Sequence, residues 1–263
     1  PQSGRLRVNM GNIYYEQGKY PQAIKMFRMA LDQIPNTGKE IRFRIFRNIG
    51  NAFVRLGQFQ DAIQSFETIM GGHPDVLTGF NLILCYYALG DAEKMRQNFS
   101  KLLSIQIHGL ENADEDEDAE EAHKKADDDE ALGAARVDGL RQELRRRQRE
   151  ANHYITTAAR LIAPTLDRKD WGAGFKWVVD ALKQDHEALA AEMEIEKALE
   201  HLRQKEFDQA ITALKAFERK DPRVRAMAAT NLSFIYFLED DLAAAEKYAD
   251  IAYQHDRYNA KAL

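Results

Sequence analysis

Between Glu111 and Glu130 the chain places twelve carboxylates in twenty residues, a density that invites a calcium site. A calcium loop opening at Asp114 would need glycine sixth, for the sharp turn, and glutamate twelfth, as the bidentate ligand. Ala119 and Lys125 stand there instead, so the run reads as a solvated segment able to touch basic surfaces. The arginines that follow, Arg141, Arg145, Arg146, Arg147 and Arg149, have the chemistry for phosphate. Glu143 and Glu150 interrupt them and the neighbouring carboxylates would compete with phosphate, so nucleic acid is not an expected ligand. Pairing with acidic partners, or with the chain's own acidic run, is. His186-Glu187 lacks the second histidine of a zinc-protease helix, because position 190 is Ala190. There is no glycine-rich loop ending in Lys-Ser or Lys-Thr and no Gly-x-Ser-x-Gly elbow. Cys85, the one cysteine, excludes a disulfide framework and sits in an apolar stretch, where a thiol behaves as a small hydrophobe. No catalytic constellation emerges; neither an enzyme nor a cofactor is expected.

Composition narrows the class further. Hydrophobic content of 44% is enough for a core, which excludes wholesale disorder. No apolar run reaches the roughly 18 residues of a membrane span, so direct membrane insertion is not expected. The balance of 37 basic against 42 acidic residues argues again against general nucleic-acid binding. The first residue is Pro1, which reads as the start of a piece rather than of a whole protein.

What positions side chains in such a molecule is legible as a repeat. The stretch Asn12–Phe27 (NIYYEQGKYPQAIKMF) aligns with Asn51–Phe66 (NAFVRLGQFQDAIQSF). Gly11 and Gly50 precede each stretch, Tyr14 and Phe53 correspond, and so do Ala23 and Ala62, then Phe27 and Phe66. Pro35 and Pro74 follow. These features resemble the tetratricopeptide repeat, a helix–turn–helix unit. The small residues let two helix axes approach to about 8–10 Å. Gly18 and Gly57 fall where the first helix must stop, and the prolines cannot continue the second. Gly90, Met95, Phe99 and Leu102 continue the register as a third unit from about Val76. Phe207, Ala210, Leu214, Phe217 and Pro222, then Tyr236, Ala245, Ala249 and Ala252, give two more, near 191–225 and 226–259.

The reading is an all-α, right-handed superhelical solenoid interrupted by an acidic loop. Residues 1–108 hold about three repeats, and 109–135 an acidic insertion. Residues 136–190 form a helical connector with a degenerate repeat, and 191–263 hold two repeats plus the start of another. In the connector, Leu140, Leu144, Tyr154, Ile155, Leu161 and Ile162 supply one helix, which Pro164 ends. Trp171, Phe175, Trp177, Val178, Val179 and Leu182 supply a second, buried one. Tyr258–Leu263 reads as the opening of a further repeat.

In tetratricopeptide arrays the concave groove is lined by the first helix of each pair. Carried onto this chain, the groove takes Asn12 and Tyr15 from the first pair, and Arg44, Arg47, Asn51 and Arg55 from the second. The third gives Phe80, Leu84 and Tyr87, of which Phe80 and Tyr87 read as packing under the next helix. The surface runs from polar to basic to apolar and suits a partner segment with acidic residues beside hydrophobic anchors. Arg44, Arg47 and Arg55 read as an unpaired triad on one face. Receptors of chaperone tails clamp a terminal carboxylate with lysines and asparagines. Here Asn12 and Asn48 match, but Val8, Leu77 and Asn81 stand where bases belong. A soluble tetratricopeptide co-chaperone or adaptor binding short peptides is therefore the alternative reading.

Beyond the repeats, the paired units joined by the extension Gly38–Arg42, the acidic insertion, and EKALEHLRQKEFDQAITALKAFERKDP from Glu196 resemble one family. It is the tetratricopeptide-repeat, Polaris-type subunits of the intraflagellar transport B complex. That resemblance implies a non-enzymatic scaffold in cilium or flagellum assembly, found in the cilium, basal body and cytoplasm. It also implies other B-complex subunits as partners and, indirectly, kinesin and dynein motors and ciliary cargo.

Overall fold

The computed structural model describes residues 2–106, 139–167, 169–220 and 222–255. The acidic insertion, Arg136 and Tyr258–Leu263 lie outside the described residues. Among those described there is no strand, and twelve helices follow one another. They are α1 (Gln2–Glu16), α2 (Tyr20–Leu31), α3 (Lys39–Arg55), α4 (Phe59–Gly72), α5 (Val76–Leu89), α6 (Ala92–Leu103), α7 (Gly139–Ile162), α8 (Trp171–Leu182), α9 (Glu187–Arg203), α10 (Phe207–Lys215), α11 (Pro222–Leu238) and α12 (Leu242–His255). The chain divides into two compact units, Pro1–Ala158 and Ala159–Leu263, the boundary falling within α7.

In the first unit α1 to α6 form three hairpins, each helix packed on the next, and α1 also touches α3. Phe27, Phe66 and Phe99 occupy the same place in the three second helices, and each is fully buried. The space vacated at the repeat glycines is filled by these rings. A Cβ built on Gly50 would lie 2.5 Å from Cε1 of Phe66, and one on Gly11 would collide with Phe27 in the same way. The glycines therefore admit an aromatic ring, rather than simply letting two backbones approach. The extension Gly38–Arg42 becomes the N-cap and opening turn of α3. From that turn Arg42 Nη1 donates to the carbonyls of Leu31 at 2.9 Å and Ile34 at 3.0 Å, satisfying the C-terminal end of α2.

In the second unit α9 and α10, then α11 and α12, form the paired hairpins, with α8 packed against α9. Their core holds Ile195, Ala198, Leu214, Leu232, Ile235 and Tyr248. In α8, Phe175, Val178, Val179 and Leu182 are buried, as the dense apolar cluster required. The pairs open earlier than the repeat register suggested, at Glu187 and Pro222 instead of about 191 and 226. Pro222 reads in sequence as a stop, but at the first helical position its missing N–H costs nothing and its fixed φ suits the helix. Glu187 sits in the first turn of α9, where the helix dipole favours a negative charge.

Five turns join first to second helices through one residue at positive φ: Gly18 (72°), Gly57 (73°), Gly90 (70°), Lys205 (64°) and Asp240 (63°). All five share a hydrogen-bond pattern, exemplified by Gln58 N–H donating to Phe53 O at 2.9 Å and Asp241 N–H to Tyr236 O at 3.0 Å. The left-handed region costs an L-residue about 1–2 kcal/mol. Gly57→Ala is therefore expected to lower stability by about 1 kcal/mol, whereas Lys205→Gly should leave it unchanged or raise it by up to about 1 kcal/mol, net of glycine's extra unfolded-state entropy. Thermal melts of the two variants against the parent chain test the opposite signs.

Candidate protein-binding groove

The groove residues of the first unit come from α1, α3 and α5, whose inner faces supply Ile45, Ile49, Ala52, Leu82 and Cys85 to the core. Burial pushes the Cys85 thiol up to about 12, which keeps it protonated and inert. Adjacent first helices are tied across the groove floor. Asn48 Nδ2 donates to Asn12 Oδ1 at 3.1 Å, and Arg55 Nε to the Tyr15 hydroxyl at 3.4 Å. Tyr15 also meets Tyr20 edge-on, with ring centroids 5.3 Å apart. Asn12 is exposed, while Asn51, its equivalent in α3, is half-buried.

The basic triad is not unpaired. Arg44 Nη2 lies 2.7 Å from Glu40 Oε1, one turn earlier in α3, because the helix begins at Lys39 and takes Glu40 in. Arg47 Nη2 lies 2.7 Å from Asp75 Oδ2 and its Nε donates to Thr78 Oγ1 at 3.3 Å. Asp75 is the N-cap of α5, its Oδ1 accepting from the Thr78 N–H at 2.9 Å and its Oδ2 from the Thr78 hydroxyl at 2.7 Å. Arg47 is thus a tie between α3 and the start of α5, and only about 30% exposed. Arg44 and Arg55 remain exposed. Arg47→Ala is expected to lower stability by about 1–2 kcal/mol, as loss of a charged hydrogen-bond pair. Arg44→Ala should change it by less than about 0.5 kcal/mol, since its partner pair is solvent-facing. Urea titration of both variants checks this ordering.

Phe80 is half-buried and its ring centroid lies 5.2 Å from that of Tyr154 on α7, as expected of a residue under another helix. Tyr87 is 38% exposed, contrary to the expectation that it is buried under the next helix. Leu84 is half-buried between them. Beyond this floor a cavity of about 940 Å³ opens between the ends of α4 and α6 and the start of α5, facing α7. Met70, Val76, Leu77, Leu82, Ile105 and Tyr154 give it an apolar wall.

In the arginine-rich stretch of α7, Arg146 and Arg147 pair within their own helix. Arg146 contacts Glu143 at 2.8 Å and Glu150 at 3.1 Å, and Arg147 contacts Glu143 at 2.9 Å. Hydrogen bonds from these two guanidiniums hold the Glu143 carboxyl down at about 2. Spacings of three and four on one helix bring these groups together.

In the second unit the places equivalent to Asn12, Tyr15 and Glu16 are Phe234, Phe237 and Leu238. The spacing from Tyr236 to Ala245, matching Tyr14 to Ala23, carried that signal in the sequence. Among the described residues no group of three histidines, cysteines or carboxylates is placed to hold a metal ion. No described helix is long and apolar enough to cross a membrane.

Comparison with known proteins bears on the repeats directly. Models of the family described as "Tetratricopeptide repeat" match residues 2–70 and 195–260, together just over half of the chain. The human protein named "Intraflagellar transport protein 88 homolog" is 44% identical over 261 residues, which is 98% of this chain. The chain spans 31% of the length of that relative. Among solved structures, the C-terminal part of a TPR repeat-containing protein from Cytophaga hutchinsonii aligns at 15% identity and a TM-score of 0.39, covering 99% of this chain and 86% of that one. A tetratricopeptide repeat protein from Parabacteroides merdae aligns at 15% identity and a TM-score of 0.38, covering 99% and 96%. The ring-on-glycine hairpins, the recurring left-handed turn and the two family matches together establish that the chain belongs to the tetratricopeptide-repeat family.

Proposed function

We propose that the chain is part of a non-enzymatic, protein-binding scaffold subunit of the intraflagellar transport B complex. The observation that carries this reading is 44% identity to the human intraflagellar transport protein across nearly the whole chain, insertion and connector included. On this reading its partners are other B-complex subunits, and it serves cilium or flagellum assembly and motor-driven transport of ciliary cargo by kinesin and dynein. It works at the basal body and in the cilium, with a cytoplasmic pool. The groove residues Asn12, Tyr15, Arg44, Arg47, Asn51, Arg55, Phe80, Leu84 and Tyr87 form the first unit's binding surface. Arg44 and Arg55 meet an acidic partner segment, while Arg47 holds the surface in shape.

The co-chaperone alternative is less well supported by the groove. The two asparagines kept from a carboxylate clamp, Asn12 and Asn48, are hydrogen-bonded to each other. The test is affinity purification of the tagged chain from ciliated cells, followed by mass spectrometry. Recovery of intraflagellar transport subunits, reduced by Arg44→Glu with Arg55→Glu and most sensitive to that reversal at low salt, is the expected result. Recovery of chaperones alone would overturn it.

A further inference from the structure

We propose that the pocket between α10, α11 and α12 binds the phosphorylated side chain of a partner protein, with Arg225 and Lys247 holding the phosphoryl group. The pocket has a volume of about 520 Å³, within the usual range for sites that enclose a small group. Its origin lies in the repeat. Counted from the left-handed turn residues Gly57 and Asp240, the positions Ala228, Ala229 and Leu232 match Ile45, Phe46 and Ile49 of α3. Ile45 and Ile49 are buried and Phe46 is half-buried, so two alanines leave open what larger side chains fill in the first unit. The same count matches Arg225 to Arg42. Arg42 is engaged by the carbonyls of Leu31 and Ile34. Arg225 is exposed and has no hydrogen bond or ion pair among the described residues.

Charge and shape select the ligand. Arg225, Lys247 and His255 bring three basic side chains to a lining with one carboxylate, Glu218. Lys247 lies over the Tyr248 ring, 5.3 Å from its centroid, and the Tyr248 hydroxyl donates to Glu218 Oε1 at 2.6 Å. The run from Lys215 to Arg225 holds five basic residues against Glu218 and Asp221. Within it Arg223 faces Glu192 at 3.9 Å and Lys215 lies over Tyr236, while Arg219 and Lys220 are exposed. A phosphoryl group carries about 1.5 to 2 negative charges at neutral pH and three acceptor oxygens, enough to engage an arginine fork and a lysine together. A carboxylate brings half that charge to a lining that already contains Glu218. Leu214, Leu232 and Ile251 supply an apolar wall for the stem of the side chain. Glu246 and Asp250 are exposed on α12 outside the lining, and a sheet of anionic headgroups would meet both, whereas a single phosphoryl group would not. The occupant is therefore a protein side chain and not a membrane. Residues 256–263 carry Arg257 and Lys261 against Asp256, so this stretch brings no net negative charge to the pocket.

The test uses the whole chain and three labelled peptides of one sequence, with serine, phosphoserine or phosphotyrosine at the centre. Fluorescence anisotropy is expected to show a phosphopeptide bound at least about tenfold tighter than the serine peptide. Arg225→Gln with Lys247→Gln should bring the three peptides together. Ala229→Leu, which fills the pocket, should do the same with both cations in place. Arg44→Glu with Arg55→Glu should leave the preference unchanged, since the first unit takes no part in it. Equal binding of all three peptides by the parent chain overturns the proposal, and so does a preference that survives the glutamine pair or the leucine. Inorganic phosphate that competes as well as the unlabelled phosphopeptide also overturns it, because the pocket then reads an anion and no side chain. Cosedimentation with vesicles containing a phosphatidylinositol phosphate, lost in the glutamine pair and without phosphopeptide binding, overturns it in favour of a membrane. Thermal melts check that the variants fold. If Ala229→Leu does not, the exposed glutamine pair and perturbation of the Arg225 guanidinium resonances by the phosphopeptide decide the matter.

Discussion

Phe66→Ala is expected to lower the stability of the first unit by about 3–5 kcal/mol, the usual cost of emptying a buried phenylalanine site. The ring is fully buried and lies on Gly50, where α3 crosses α4. Gly50→Leu attacks the same joint from the other side, forcing a side chain into the ring at a cost of about 1–3 kcal/mol or more. The two variants are not independent. Leucine at position 50 refills part of the space that alanine at position 66 empties, so the double variant should recover about 1–3 kcal/mol relative to the sum. Urea denaturation of the four-member cycle measures that recovery. Strict additivity would mean that the ring and the glycine do not share one joint. Neighbouring hairpins pack in series, so the single variants should also weaken amide protection in α2 and α5.

Gly174→Ala is expected to destabilise the second unit by about 3 kcal/mol, the upper end for adding one methyl group to a packed site. A Cβ built there collides with the carbonyl oxygen of Ala163 and comes within 3.4 Å of Leu166 Cβ. Unlike the Phe66 ring, a backbone carbonyl cannot rotate away. Gly71→Ala is the control, because a Cβ there meets nothing within 4 Å and the residue lies inside α4. It should gain about 0.5–1 kcal/mol from the better helix former. Differential scanning calorimetry on the two variants is enough, and a neutral Gly174→Ala would show that α8 does not lie so close to the Ala163 carbonyl.

The repeat hairpins were legible because their signature residues obey a local period: glycine, aromatic, alanine and phenylalanine recur at offsets fixed by helix geometry. Gly50 and Phe66 are sixteen residues apart in sequence, close enough for one motif to contain both. Arg47 was misread for the opposite reason. Its partner Asp75 lies 28 residues on, across a hairpin, and no periodicity links them. The signal available was Asp75 after Pro74 with Thr78 three residues later, a helix-capping pattern that puts a carboxylate at the mouth of α5. Arg44 was misread by a boundary: with α3 starting at Lys39, Glu40 is one turn away on the same helix. Left-handed Lys205 and Asp240 carried no compositional mark at all, since only the demand of a shared turn places them there.

The guanidinium of Arg42 spans the longest connection between hairpins in α1 to α6, the stretch from Asp32 to Gly38. A connection of that length would ordinarily act as a hinge. Arg42 makes its two ends open together: fraying the last turn of α2 strips the guanidinium of both acceptors, and unwinding the first turn of α3 removes it from α2. Bending at this place therefore requires local unfolding rather than rotation about a few loop torsions. Under a pulling load along the array, the first two hairpins yield as one cooperative block, and slack appears elsewhere.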